Sequence, residues 1–279
     1  MITRVIAQKL SEKLGGQFFI DNVTAGGGNV AMGGVAKAVG DGYTLLIVSS
    51  HFVVNPSLIP DTPYDPVKDF APITLMAVAS QVVVVNPSVP ANNMKELVAL
   101  IRANPGKYNY ASPGTGTTGH LAGEMFRLAM GLDLVHVPFK GAAPAIQSTV
   151  AGHTPIAFVG LPSAAVQMKD GKVRALAITT AHRSPAFPDL VTMAQAGFAN
   201  QESDVMQGLL APAGTPKEIV NLLQRTVAEI VTMPDVKARL AAFGFDPVAN
   251  KPEEFAARIK EESARWAKVI KDANIKMTQ

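Results

Sequence analysis

The sequence predicts an α/β protein of mostly parallel sheets flanked by helices and divided into two lobes. Three observations carry this expectation. Short apolar runs alternate with amphipathic segments of helical period along most of the chain, the pattern of sheets covered on both faces. Val82–Val85 is a run of four valines, as in a strand buried on both sides. Two apolar runs, Gln81–Val85 and Val205–Leu210, bracket an αβ-rich middle. If both are crossing strands, residues 1–83 and 205–279 form one lobe and residues 84–204 the other, with a cleft between them as the natural ligand site.

Each element has a local reason. Val5, Ile6, Leu10 and Leu14 recur at helical spacing before Gly15-Gly16, which predicts a first helix over Ile2–Leu14. Phe18–Ile20 reads as a strand, Ala25–Asn29 as a glycine loop and Val30–Val39 as a helix. Tyr43–Val48 is a β run, followed by a loop rich in proline at 56, 60, 63 and 66. Ile73–Ala77 and Gln81–Val85 are strand-like. Asn93 with Glu96 makes a capping box for a helix to about Ala103. The strand at Tyr108 leads into a helix ending at Gly131. Strands at Leu134–Val137, Ile156–Val159 and Val173–Ile178 alternate with helices at Ala142–Ala151 and Ser163–Met168. Residues 185–203 read as irregular apart from a short helix near Leu190–Ala196. After the Val205–Leu210 run, Thr215-Pro216-Lys217-Glu218 is a helix start with threonine as the cap. Helices through Pro234–Phe243 and Pro252–Ala273 complete the chain.

Composition narrows the function. With 48% hydrophobic and 17% charged residues, the chain is globular. Net charge is +3, but the basic residues are scattered and aromatics scarce, which argues against nucleic-acid binding. The absence of cysteine excludes disulfides, thiolate metal sites and cysteine nucleophiles. No apolar run approaches the roughly 20 residues that span a bilayer, and no signal peptide is visible.

The richest stretch is Tyr108–Glu124, YNYASPGTGTTGHLAGE. A strand ends in a Ser/Thr/Gly loop that opens a helix, where unpartnered N–H groups and partial positive charge favour an anion. Gly114, Gly116 and Gly119 also spell G-x-G-x-x-G, so a nucleotide-cofactor enzyme is an alternative reading. It lacks the acidic residue about 20 positions on that would hold a ribose, because Pro138, Phe139 and Lys140 end the next strand. The five histidines show no metal-binding spacing; His120 and Glu124 share a helix face, and two ligands do not make a zinc site. Ser112 could be a nucleophile, but no base can be assigned to it. Neither catalysis nor a cofactor has positive support. Phe139–Ala143 and Ser49-Ser50-His51 are further turns after strands, where open parallel sheets place their ligands.

The chain resembles the periplasmic solute-binding proteins of tripartite tricarboxylate transporters, the TctC or Bug family. The motifs are AGGGNV at 25–30, DGYTLLIVSS at 41–50, NPSL at 55–58, NPGKYNYASPGTGTTGHLAGE at 104–124, VPFKGAAPAI at 137–146, LPSA at 161–164, DGKVRALAITT at 170–180 and GLLAPAGTP at 208–216. The resemblance implies a two-lobed, type II-like binding-protein fold and a monomeric, non-enzymatic periplasmic protein that closes on a small organic acid. It would present that acid to membrane components of a transporter, or, alternatively, act as a ligand sensor for a signalling partner. By matching motif, Ser112, Gly116, Thr117 and Thr118 would hold a carboxylate. Lys140, Gly141 and Ala142, the Ser49, Ser50 and His51 turn, and Val159 with Gly160 would line the rest. The family's first strand and its ligand loop are expected to be absent, because Met1 falls where the first helix starts. The position of Val159 is frequently aspartate in the family, able to receive an ammonium group; valine implies a ligand without an amine, a di- or tricarboxylate or an aromatic acid.

Overall fold

The structure, a computed structural model, describes residues 2–23 and 25–276. Along the chain lie α1 (Ile2–Leu14), α2 (Asn29–Ala36), β1 (Leu46–Val48), α3 (His51–Leu58), β2 (Phe70–Val85), α4 (Met94–Ala103), β3 (Tyr108–Ser112), α5 (Thr118–Met130), β4 (Leu134–Pro138) and α6 (Ala142–Val150). There follow β5 (Ile156–Gly160), α7 (Leu161–Lys169), β6 (Arg174–Ile178), β7 (Asp204–Pro212), α8 (Lys217–Thr232), α9 (Pro234–Ala242), β8 (Asp246–Pro247) and α10 (Pro252–Asp272). The chain forms two compact units, residues 1–78 with 206–268 and residues 79–205 with 269–279. Both β2 and α10 run from one unit into the other.

In the second unit, β3 pairs parallel with β4 and with β5, and the end of β2 pairs antiparallel with β5 and β6. Strand alternation divides its side chains between two cores. Val83, Val85, Tyr110 and Phe158 pack on one side with Met94, Leu97 and Ile101 of α4 and Phe126 of α5. Val82, Val84, Ala111 and Ala157 pack on the other with Ala145 and Ile146 of α6 and Ala164 of α7. The valine run is therefore buried on both faces, as its composition implied.

In the first unit, β7 lies between β1 and β2, with β1 antiparallel to it, and β8 pairs antiparallel with β2. Its core joins Ile2, Ile6 and Leu10 of α1 to Ile73, Leu209, Leu223, Val227 and Leu240.

Four local expectations are corrected. Phe18–Ile20 is not a strand. Among the described residues no strand lies alongside to share its backbone hydrogen bonds; Phe18 N–H donates to Ser11 Oγ and Phe19 is 86% exposed. The first part of the expected proline loop is the helix α3 (His51–Leu58), despite Pro56, while the prolines at 60, 63 and 66 lie outside helix and strand as expected. Proline lacks the N–H that would bond the carbonyl four residues back, and that carbonyl, Phe52 O, accepts instead from Tyr64 OH at 3.0 Å. The helix near Leu190–Ala196 is replaced by turns held by Gln195 N–H on Thr192 Oγ1. Thr215 does not cap α8; its hydroxyl donates backward to Pro212 O at 2.8 Å, and Pro216 takes the capping position.

Candidate anion-binding site of the second unit

The parallel strands β3, β4 and β5 each end at the same edge of their sheet and each turns into a helix there. The loop after β3 and the turn after β4 are tied together: Phe139 N–H donates to Ser112 O at 3.0 Å and Gly141 N–H to Pro113 O at 2.9 Å. Gly114 has φ of 141°, and a β-carbon there would stand 3.1 Å from Phe139 O. Gly141, at φ 114°, starts α6. Both backbone conformations favour glycine, and at Gly114 the missing side chain also lets backbone approach backbone.

Thr117 caps α5, accepting from His120 N–H at 3.4 Å and donating to Gly114 O at 2.7 Å. The N–H groups of Thr118 and Gly119 stand in the first turn, where a helix provides no internal acceptor. Gly119 explains the third glycine of the G-x-G-x-x-G pattern. A β-carbon there would meet Phe158 O at 2.4 Å, so the residue serves close packing of α5 on β5.

Beneath the loop is a polar cluster, buried at Ser112, His120 and Glu124 and half-buried at His136. Ser112 Oγ is fully buried and 2.7 Å from His136 Nε2. His136 stacks on His120, with centroids 3.8 Å apart and planes 21° from parallel. His120 Nδ1 accepts the Gly116 N–H at 3.0 Å. One turn on, Glu124 accepts from Tyr110 OH at 2.8 Å and pairs with Arg127 at 2.8 Å. Burial lowers His120 to about 4. Burial, then the neighbouring His120, lowers His136 to about 3. Burial and the adjacent Glu124 push the Tyr110 hydroxyl well above its ordinary range. Burial, which lowers both histidines, makes them weaker proton acceptors than a free imidazole.

The remaining sites expected from sequence are placed as follows. Lys140 is exposed and Ala142 half-buried at the start of α6. Gly160 is half-buried and precedes α7. Val159 is fully buried in the core with Ala111 and Ala157. In the first unit, Ser50 is buried with its hydroxyl accepting Met206 N–H at 3.1 Å, and Ser49 Oγ lies 3.3 Å from the Nδ1 of His51. His136 and Tyr110 were not singled out from the sequence as partners of this loop. The available signal is strand alternation: Tyr110 and Ser112 share one face of β3, and Tyr110 is in register with His136 on β4. Among the described residues no group of three His, Asp or Glu could hold a metal ion, and no helix is long and apolar enough to cross a membrane.

Residues 2–275 match the family described as the tripartite tricarboxylate transporter family receptor. The UPF0065 protein of the tcbD-tcbE intergenic region of Pseudomonas sp. strain P51 is 34% identical, over 100% of this chain and 83% of its own length. A solved periplasmic transporter is 42% identical with a TM-score of 0.79, covering 99% of this chain and 92% of the other. The structure of R. palustris Rpa4515 with adipate is 34% identical with a TM-score of 0.79, covering 99% and 93%.

Proposed function

We propose, from the premise that the chain belongs to the TctC, or tripartite tricarboxylate transporter receptor, family, that it captures a small organic acid without an amine. Members of this family are solute-binding receptors and not enzymes. In this reading the protein works in the periplasm as a monomer and hands its ligand to the membrane components of a tripartite transporter. The observation that carries the reading is the Ser112–Thr118 loop at the N-terminus of α5, tied to the Gly141 turn of α6. Two helix starts and a set of small and hydroxyl residues meet at one sheet edge. Such a place holds a carboxylate through N–H and O–H donors and the positive ends of helix dipoles. The proposed contacts are Thr117 and Thr118, with Gly116, whose N–H must leave His120 Nδ1 to donate, Ser112 beneath them, and Lys140, Gly141 and Ala142 beside them.

The specificity follows from charge. A ligand ammonium group needs an acceptor or an anionic partner when it leaves water. Val159, fully buried beside Ala111 and Ala157 near the end of β5, brings no acceptor or anionic partner to this edge of the sheet. Adipate, the acid in the R. palustris Rpa4515 structure, is of the expected class. A calorimetric titration with adipate, malate, benzoate, aspartate and glutamate tests the reading. Amine-free acids are expected to bind more tightly, by at least tenfold, about 1.4 kcal/mol. Tighter binding of aspartate or glutamate than of every amine-free acid rejects the specificity; no binding of any acid rejects the function.

A further inference from the structure

We infer that His120 and His136 are positioning residues whose proton occupancy sets which donors the Ser112–Thr117 loop can present. The inference goes beyond carboxylate capture and stands whatever anion the loop takes.

What matters is which atoms can accept a hydrogen bond. Gly116 N–H donates to His120 Nδ1 at 3.0 Å. An imidazole nitrogen accepts only while it carries no proton. His136 lies flat on His120 at 3.8 Å between centroids, and its Nε2 is engaged with Ser112 Oγ at 2.7 Å. Two imidazolium rings at that spacing would repel strongly in a poorly solvated place. The geometry thus requires a neutral His120 and tolerates at most one charge in the stack.

The surrounding charges do not change that balance. From α5 itself, Glu124 faces the pair, and its carboxylate is already taken by Tyr110 OH and Arg127. From β3, the Tyr110 ring stands 5.0 Å from His136, and its OH also donates to His120 O at 3.2 Å. From β5, Phe158 contributes an uncharged ring against Tyr110. From β4 the titratable side chain is His136 itself. Burial of the two rings keeps both neutral at ordinary pH.

A proton on His120 Nδ1 has two consequences. The Gly116 N–H loses its acceptor and must turn to another partner. An imidazolium then sits directly beneath the loop. The loop passes from an amide tied inward to an amide available outward over a positive charge, both of which favour an anion. By linkage, an anion held at the loop favours proton uptake by the pair to the same extent.

The test is a titration of the whole chain, without ligand, from pH 7.5 to 3.5, followed by histidine ring and backbone amide resonances. The Gly116 amide is expected to shift with the same midpoint as the His120 ring, below the ordinary histidine value of about 6.5. In His120→Gln, whose side-chain carbonyl accepts the same N–H at every pH, that transition is expected to vanish. A Gly116 amide that stays still while His120 titrates overturns the inference, and so does an equal transition in the variant. If the variant does not fold, the wild-type titration decides alone. If the wild type unfolds before any coupled shift of the Gly116 amide and the His120 ring is seen, the inference is overturned, because the folded loop then never meets a protonated His120. Because no acid ligand is used, failure of the carboxylate reading leaves this result unaffected.

Discussion

Residue by residue, the second unit depends on places where a side chain is forbidden or a proton is excluded. A β-carbon on Gly123 would lie 2.2 Å from the Tyr110 ring, so α5 can approach β3 only with glycine there. Gly123→Ala is expected to lower stability by about 1–3 kcal/mol, the usual cost of overpacking, read as a lower urea midpoint at unchanged slope. The histidine pair gives stability a direction with pH. Both rings have folded values below their unfolded one, so the unfolded chain binds more protons as pH falls. Their contribution is complete above the unfolded value of about 6.5 and is lost progressively below it, through the folded value of about 4 for His120. Between pH 7.5 and 5 the loss is expected to be about 1–2 kcal/mol after allowance for partial solvent access. Urea unfolding at the two pH values measures it, and stability that rises on acidification contradicts it.

At the level of elements, local chemistry accounts for starts and stops, and long-range partners account for the exceptions. Asn93 and Glu96 form the reciprocal box at the start of α4: Glu96 N–H donates to Asn93 Oδ1 at 2.9 Å, and Asn92 N–H to Glu96 Oε2 at 2.7 Å. Asn93→Ala is expected to cost about 1 kcal/mol, measured by thermal unfolding; Asn93→Asp, which keeps the acceptor, is expected to restore most of it. The helix α3 illustrates the exception. Its proline argues for a loop until Tyr64 OH supplies the hydrogen bond the proline cannot. Phe18–Ile20 is the reverse case. A good β composition there remains irregular, with no neighbouring strand among the described residues, because a strand is stable only when its backbone groups are paired.

For the whole molecule, the lone tryptophan offers a reporter. Trp266 is 1% exposed on α10, with the Arg265 guanidinium 4.6 Å from its ring centroid. It belongs to the first unit, while far-ultraviolet circular dichroism reads helices of both. The strand β2 and the helix α10 continue from one unit into the other. Fluorescence and dichroism are therefore expected to report coincident urea transitions, the signature of one cooperative unit; separated midpoints would mean that the units unfold independently. A bound acid at 100 times its Kd should then raise the stability of the folded chain by about 2.7 kcal/mol.

The sequence by itself determined the alternating α/β plan, the burial of Val82–Val85 on both faces, the capping box at Asn93 and the strand-to-helix loop at Ser112–Thr118. These are legible because period, capping and glycine chemistry act over a few residues. The family was legible too, through motifs spread from Ala25 to Pro216. Only the tertiary structure decided that Ser112 meets His136, that His136 lies on His120, and that His120 holds the Gly116 amide. Residues 112 and 136 come together through the parallel pairing of β3 and β4. Such a contact depends on register between distant segments, and no local spacing encodes it.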